Sequence, residues 1–184
     1  LAAFGERSVV IAHVVDTVLA SPVAGVHVVV AHERTGIVAA LAGRPVAFVA
    51  APEGCGIGVS IGAGIQALEA VAFDGALIVL GDMPFVDPCH LNRLIAAFTA
   101  SGGTAICVPT HAGRPGNPRL WPRSSFPQLM QLEGDVGGRD LLASRGDSHA
   151  AGQPKAVAAG GRVGGGSYGR AIPGAQRGGP AAGS

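Results

Sequence analysis

The sequence predicts an α/β fold in three layers, in which helices cover both faces of a mostly parallel β-sheet. Short apolar runs of strand length alternate along the chain with stretches of helical periodicity. These runs are almost continuously apolar, which is typical of strands that are buried on both faces. Apolar residues make up 48% of the chain but aromatic residues only 4%. Small aliphatic side chains must therefore fill the core, and they suit a sheet packed between helices.

The first part of the chain predicts two helices, each followed by a strand. Residues 9–20 carry an apolar stripe at helical spacing. Residues 26–31 form a β-branched run, which predicts a buried strand. A short helix is expected over residues 35–41, and a second buried strand over residues 46–51. This alternation is what a sheet with covering helices requires.

The middle of the chain continues the same pattern. A glycine-rich loop at residues 54–58 leads into a helix expected over about residues 60–73. Residues 76–80 predict a third strand. Asp87 and Pro88 have the types expected of a helix cap and a first-turn proline, so the next helix begins there. Residues 104–108 predict a fourth strand.

The composition divides the chain into two regions. Its 184 residues suffice for one domain with a sizeable core, and we assign residues 1–149 to that α/β domain. Residues 150–184 are dominated by Gly, Ala and Pro, without Asp or Glu. Such a segment buries too little apolar surface to offset its ordering entropy, so disorder is expected. A native tail and a frame change in GC-rich DNA are alternative explanations, which resequencing would separate.

Charge and cysteine content exclude several classes of protein. The net charge is +1, without a basic cluster in residues 1–149, which argues against nucleic-acid binding. No apolar run reaches membrane-spanning length, and no secretory leader pattern is present. Cys55, Cys89 and Cys107 form no CxxC pair, so reduced thiols in a cytoplasmic protein are expected. The histidines lack ligand spacing, and structural or surface roles are expected for them.

Candidate chemistry is expected where the parallel strands end, because ligands bind at that edge of such sheets. Asp82 directly follows the third strand, in the tetrapeptide Gly-Asp-Met-Pro. A carboxylate there can hold Mg²⁺ against a triphosphate, since phosphate oxygens and water complete the octahedron. Alternatively, Asp82 caps the following segment or accepts hydrogen bonds from loop amides.

Three further loops follow predicted strands or lie close behind them. The loop at residues 54–58 lets backbone amides approach a ligand, and Ser60 is expected to begin a helix whose N-terminus attracts anions. A nucleotide could lie across this loop, but a flexible connection is the alternative. Residues 109–118 and 134–139 are rich in turn residues, and both could be plain surface turns.

Taken together in their order along the chain, the four motifs resemble those of the MobA-like nucleotidyltransferases, in particular the molybdenum cofactor cytidylyltransferase branch. Residues 81–84 match a strand ending in Gly-Asp-Met/Gln-Pro, and residues 56–60 are similar to Gly-Met-Gly-Ser-Ser before a helix. Residues 113–118 match Gly-x-x-Gly-His/Asn-Pro, and residues 134–139 match Gly-Asp-x-Gly-Ala/Gly-Arg. The resemblance covers about residues 1–145.

The chain departs from the family pattern at both ends. Family members open with a strand, a glycine-rich phosphate loop and a lysine, but residues 1–5 are not followed by Ser-x-Arg-Met-Gly. We therefore expect an N-terminally truncated member that lacks the first strand, the phosphate loop and the lysine. The family's late acidic segment has no counterpart after Asp147. Weak turnover is expected of residues 1–184 alone, because preorganised donors around the triphosphate are missing.

The resemblance implies a Rossmann-like nucleotidyltransferase fold and a cytoplasmic enzyme that uses Mg²⁺. Such an enzyme moves a CMP or GMP unit from CTP or GTP to a molybdopterin-type acceptor and releases pyrophosphate. A molybdoenzyme or a chaperone is the protein partner that the resemblance implies. Asp82 would be the catalytic residue and metal ligand. The resemblance assigns nucleotide binding to Gly56, Gly58 and Ser60, and acceptor binding to Gly116, Asn117, Pro118 and Asp135.

Two other classes of function stay open. Gly62, Gly64 and Ala67 fit a loose GxGxxA fingerprint, with Asp82 as a candidate ribose-binding acid, as in an NAD(P)-dependent oxidoreductase. The fingerprint should follow a strand directly, yet about ten residues separate Ala51 from Gly62, which disfavours this reading. The other class is a non-catalytic binding protein of the same fold.

Overall fold

A five-stranded sheet lies at the centre of the computed structural model, which describes residues 4–112, 114–138, 141–142 and 167–173. The helices are α1 (Phe4–Leu19), α2 (Arg34–Ala40), α3 (Gly56–Glu69), α4 (Pro88–Ala100), a 3₁₀ turn (Arg123–Ser125) and α5 (Phe126–Leu129). The sheet contains β1 (Gly25–Val30), β2 (Ala47–Ala50), β3 (Phe73–Leu80), β6 (Arg119–Pro122) and β7 (Ser167–Pro173), and a separate hairpin is formed by β4 (Thr110–His111) and β5 (Arg114–Pro115).

The strand directions place three carboxyl ends on one edge of the sheet. The strand order is β2-β1-β7-β3-β6. β1 pairs with β2 in parallel, and both β1 and β3 pair with β7 in antiparallel fashion. β1, β2 and β3 therefore run in the same direction, as predicted, while β6 and β7 run the opposite way, so the sheet is mixed rather than mostly parallel. The loops that follow β1, β2 and β3 all emerge at the same edge.

Helices cover both faces of this sheet, so the predicted three-layer α/β fold is confirmed. On one face, Val28 and Leu77 pack with Val15 of α1 and Leu91 of α4 in one buried cluster. On the other face, a second cluster contains Ala76 and Ile78 of β3, Trp121 of β6, and residues of α3 and α5. Successive residues of β3 thus enter opposite clusters, which is why its sequence is apolar throughout.

Most elements form where the sequence predicts them, and the cap of α4 is confirmed. Asp87 is the N-cap of α4, and its carboxylate accepts a hydrogen bond of 2.8 Å from the backbone N–H of His90. α3 begins at Gly56 rather than at Ser60, and β3 begins at Phe73 rather than at residue 76. The glycine-rich loop is therefore largely the first turn of α3.

The predicted fourth strand, residues 104–108, is wrong as a strand. Only a single antiparallel bridge forms there in the described residues, between Cys107 and Leu120, with backbone hydrogen bonds of 2.9 and 3.0 Å. The edge strand is instead β6, which starts with Arg119 and ends at Pro122. A proline on each side of Leu120 and Trp121 makes this segment look like a loop in the sequence, but proline is tolerated on an edge strand.

β7 lies inside the segment for which the sequence predicts disorder, so that prediction does not hold for Ser167–Pro173. The other residues of 150–184 lie outside the described residues. β7 pairs with β1 on one side and with β3 on the other. Hydrogen bonds to two neighbouring strands come from the backbone and need no apolar side-chain pattern, so composition does not reveal such a strand.

The three cysteines differ in exposure and therefore in expected reactivity. Cys55 and Cys89 are exposed, whereas Cys107 is buried, and burial raises the pKa of its thiol to about 11. Because the thiolate is the reactive form, Cys107 stays protonated and inert at pH 8. We expect alkylation at pH 8 to label two thiols quickly and the third only after unfolding, as counted by intact-mass spectrometry. Rapid labelling of all three in the folded protein would contradict the position of Cys107.

In the part of the chain that the structure describes, none of the helices combines the length and the apolar character that spanning a membrane requires.

Candidate active site

The Asp82 carboxylate lies just after the carboxyl end of β3 and has an unusual environment. Both of its oxygens are buried, and neither accepts a hydrogen bond from another of the described residues. Burial raises the pKa of this carboxyl, while its own backbone amide acts in the opposite direction. A buried carboxylate without a partner is costly unless a cation or a proton compensates its charge. Among the described residues, no other residue therefore gives Asp82 a role as a cap or as an acceptor for neighbouring loop amides.

The loop that carries Asp82 is fixed by packing against the core, by a hydrogen bond within its own turn and by a hydrogen bond from α1. Met83 packs against the core, and Val86 is buried. The N–H of Val86 donates to the carbonyl of Met83 at 3.2 Å, which closes a turn around Pro84. His13 of α1 donates from Nε2 to the carbonyl oxygen of Pro84 at 3.1 Å. Sequence reasoning missed this role of His13, since 71 residues separate the two partners and no local pattern links them.

The first turn of α3 packs directly against the turn at residues 133–136. The N–H of Gly58 donates to the carbonyl of Gly134 at 2.9 Å. A Cβ atom on Gly56 would lie 2.2 Å from the carbonyl atoms of Gly134, and one on Gly58 would lie 2.7 Å from the carbonyl oxygen of Val136. The first turn of α3 and the turn at residues 133–136, which carry parts of two predicted motifs, are thus one structural unit. Glycine is needed here because backbone contacts backbone.

Two predicted details of this region are corrected. Ser60 does not begin α3, because the helix starts at Gly56, and its hydroxyl donates to the Gly56 carbonyl at 3.5 Å within the helix. The amide of Gly58 is already bonded to Gly134, so it is not a free donor for a phosphate. The side chain of Asp135 is exposed, and its backbone nitrogen lies next to Gly56.

The predicted acceptor loop lies at the other side of the same edge. The register pairs Ile78 of β3 with Arg119 of β6, so residues 116–118 lie beside the carboxyl end of β3. Gly116 donates its N–H to Pro109 at 2.8 Å and accepts from Nε of Arg119 at 2.9 Å. Asn117 is exposed and Pro118 is buried. Gly113 and Arg139, which complete the two family motifs, lie outside the described residues.

The residues present fit a metal that needs few protein ligands. Among the described residues, no group of three His, Cys, Asp or Glu side chains comes close enough to hold a metal ion. Zinc sites with three or four protein ligands are not formed by these residues. Mg²⁺ is commonly held by one or two carboxylates together with substrate phosphates and water, and the Asp82 carboxylate meets that requirement.

The oxidoreductase fingerprint does not form a phosphate loop. Gly62 and Gly64 lie in the interior of α3, where added Cβ atoms would approach the carbonyl oxygen of Met130 at 3.2 Å and Cγ2 of Val29 at 2.9 Å. These glycines serve close packing of the helix on its neighbours, whereas a dinucleotide fingerprint lies at the strand-to-helix turn.

Comparisons with known proteins identify the family of this chain and relatives of its fold. Residues 1–151 match the model of the MobA-like NTP transferase domain. Purine catabolism protein PucB of Bacillus subtilis (strain 168) is 34% identical over 89 residues, which are 48% of this chain and 42% of that protein. The chain therefore covers less than half the length of that relative.

Solved structures from mycobacteria share the fold. The manganese complex of Rv0371c from Mycobacterium tuberculosis H37Rv has a TM-score of 0.66 and 26% identity, covering 84% of this chain and 78% of that one. A second structure of Rv0371c has the same TM-score with 25% identity, covering 84% and 75%. The family model matches residues 1–151, which are most of this chain, so the chain belongs to the MobA-like NTP transferase domain family.

Proposed function

We propose that the protein is a nucleotidyltransferase that moves a CMP or GMP unit from CTP or GTP to a molybdopterin-type acceptor and releases pyrophosphate. The observation that carries this proposal is the buried Asp82 carboxylate, whose oxygens have no hydrogen-bond partner among the described residues. Its place after β3 is where ligands bind in such sheets. A cofactor cation there would bring triphosphate oxygens to the same point.

In this proposal, Asp82 holds Mg²⁺, which when bound offsets the negative charge that grows on the leaving pyrophosphate. The manganese complex of Rv0371c, a structural relative, supports a divalent cation in this fold. His13 and the turn at residues 83–86 keep the Asp82 loop in one position, so little reorganisation is needed when substrate binds.

The nucleotide lies, in this proposal, near the first turn of α3. The positive end of the helix dipole favours the triphosphate there. Gly56 and Gly58 act mainly by letting the turn at residues 133–136 approach, since the Gly58 amide is bonded to Gly134. Ser60, in the second turn, contributes through its place in the helix rather than as its first residue.

The acceptor side is proposed at Gly116, Asn117, Pro118 and Asp135. Asn117 and Asp135 are exposed and free to meet a ligand at the edge where β3 ends. The name of PucB refers to purine catabolism, and the acceptor of this chain is proposed from the family motifs rather than from that name. A molybdoenzyme or a chaperone that takes up the product, and a cytoplasmic location, complete the proposal.

Calorimetric titration with CTP, GTP and NADH, each with Mg²⁺ and with EDTA, tests this function. We expect saturable binding of CTP or GTP that depends on Mg²⁺, and only slow release of pyrophosphate when molybdopterin is added as acceptor to residues 1–184. Saturable NADH binding without triphosphate binding would contradict the proposal and favour the oxidoreductase. Binding of neither would leave a non-catalytic protein of the same fold.

A further inference from the structure

Phe85 has the highest exposed fraction among the large apolar side chains in the described residues. Its exposed fraction is 81%, against 68% for Val9 and 45% for Val71. A single exposed apolar side chain is common on protein surfaces and has no functional meaning by itself. The surroundings of Phe85 distinguish it from the other exposed side chains.

The turn that carries Phe85 projects it outward in a fixed way. Phe85 and Pro84 are the two central residues of the turn that the hydrogen bond from Val86 to Met83 closes. Val86 is buried, Met83 packs on the core, and the Pro84 carbonyl is bonded to His13. Phe85 therefore cannot turn into the core without breaking these contacts. The backbone that carries this exposed ring is therefore fixed before any ligand binds.

The buried carboxylate of Asp82, which has no partner among the described residues, is an independent sign that a ligand binds beside this turn. Two residues lie between Asp82 and Phe85, so three residue steps, at most about 10 Å of chain, connect them. That length is comparable to the distance between the phosphates and the ring of a nucleotide. A substrate whose phosphate is held by a cation at Asp82 can thus place its ring at Phe85.

We propose that Phe85 is a binding residue that stacks on a planar heteroaromatic ring of a substrate. The ring is either the nucleobase of the triphosphate or the pterin of the acceptor, and both offer the same flat π-surface. This inference rests on the proposed function, because it assumes that a phosphorylated heteroaromatic substrate binds at Asp82. It adds a recognition residue that the four sequence motifs do not contain.

The test compares Phe85→Ala, Phe85→Leu and Phe85→Trp with wild type. CTP and GTP are titrated with Mg²⁺ by calorimetry, and pterin-6-carboxylate is titrated through its fluorescence. Base–aromatic stacking predicts that Phe85→Ala weakens binding of one probe by about 5- to 100-fold. Phe85→Leu should weaken binding of the same probe similarly, because the leucine side chain is apolar but not flat. Phe85→Trp should bind that probe as well as wild type does. The control is Val71→Ala, an exposed apolar side chain near the opposite end of β3, which should change nothing.

The titrations with triphosphates and with the pterin show which substrate supplies the ring that stacks on Phe85. Weakening for a triphosphate alone assigns the nucleobase, and weakening for the pterin alone assigns the acceptor. Equal affinities of wild type and Phe85→Ala for every probe that wild type binds would overturn the stacking role and leave the proposed function intact. A change of oligomeric state in Phe85→Ala with unchanged affinities would overturn it as well, in favour of a protein contact. If wild type binds no probe, the proposed function fails and the stacking role fails with it.

Discussion

Replacing Asp82 with Asn is expected to raise the melting temperature of the ligand-free protein while removing its Mg²⁺-dependent nucleotide binding. The Asp82→Asn side chain has nearly the same shape but no charge, so it removes the cost of a buried carboxylate without a partner. A gain of about 1 kcal/mol would raise the melting temperature by roughly 2–4 °C for a chain of this size. Turnover should fall by at least about 10²-fold, because the charge stabilisation is lost.

The opposite signs of these two effects are the informative part of the experiment. If the carboxylate stabilised the fold, its substitution would lower the stability of the protein. If it binds a ligand at a cost in stability, its substitution raises the stability and abolishes binding. Asp74→Asn is the matched control, since Asp74 is an exposed carboxylate near the other end of the same strand. It should leave both stability and binding unchanged. A lower melting temperature with near-normal turnover in Asp82→Asn would remove the metal role.

Substitution of Gly58 by Ala is expected to separate the first turn of α3 from the turn at residues 133–136. The added Cβ would lie 2.7 Å from the carbonyl oxygen of Val136 and 3.0 Å from backbone atoms of Glu133. Backbone atoms cannot rotate away as a flexible side chain does, so the chain itself must shift. A cost of about 1–3 kcal/mol follows for such overpacking, and it is read from urea unfolding. The hydrogen bond from Gly58 to Gly134 would be strained at the same time.

Gly25→Ala is the control for this substitution. An added Cβ on Gly25 meets nothing within 4 Å, and Gly25 lies at the start of β1. Its unfolding free energy should stay near that of wild type or rise slightly, since alanine restricts the unfolded chain. Gly58→Ala should also weaken nucleotide binding, because the first turn of α3, where the nucleotide is proposed to lie, moves when the two turns separate. Equal stability of the two alanine variants would contradict the docking of these motifs.

Local patterns predicted the parts of the fold that local physics determines. The apolar stripes of α1 and α4, the Asp87 cap and the continuous apolar run of β3 are all readable from neighbouring residues. β6 was missed because its flanking prolines resemble a loop, and β7 because its pairing depends on two distant strands. Pairing over long separations in sequence leaves no periodic signal in the segment itself.

The candidate site shows the same limit. Its motif predicts Asp82 at the end of a strand, but only the fold shows that the carboxylate is buried without a partner among the described residues. The sequence predicts that Gly56 and Gly58 let a phosphate approach the backbone. In the structure, these glycines let the backbone of residues 133–136 approach instead. Composition cannot distinguish these two uses of glycine, because both need only the absence of a Cβ. The hydrogen bond from His13 to Pro84 likewise cannot be predicted from the sequence, because 71 residues separate the two partners.

The most direct measurement of the central claim, that Asp82 holds a divalent cation against a nucleotide, is electron paramagnetic resonance of Mn²⁺. Free Mn²⁺ is titrated with wild type and with Asp82→Asn, each in the presence of CTP or GTP and at a pH where carboxylates are ionised. If Asp82 is the metal ligand, wild type with its nucleotide removes Mn²⁺ from solution beyond what nucleotide alone removes, and Asp82→Asn does not. Equal loss of free Mn²⁺ with the two proteins would contradict it.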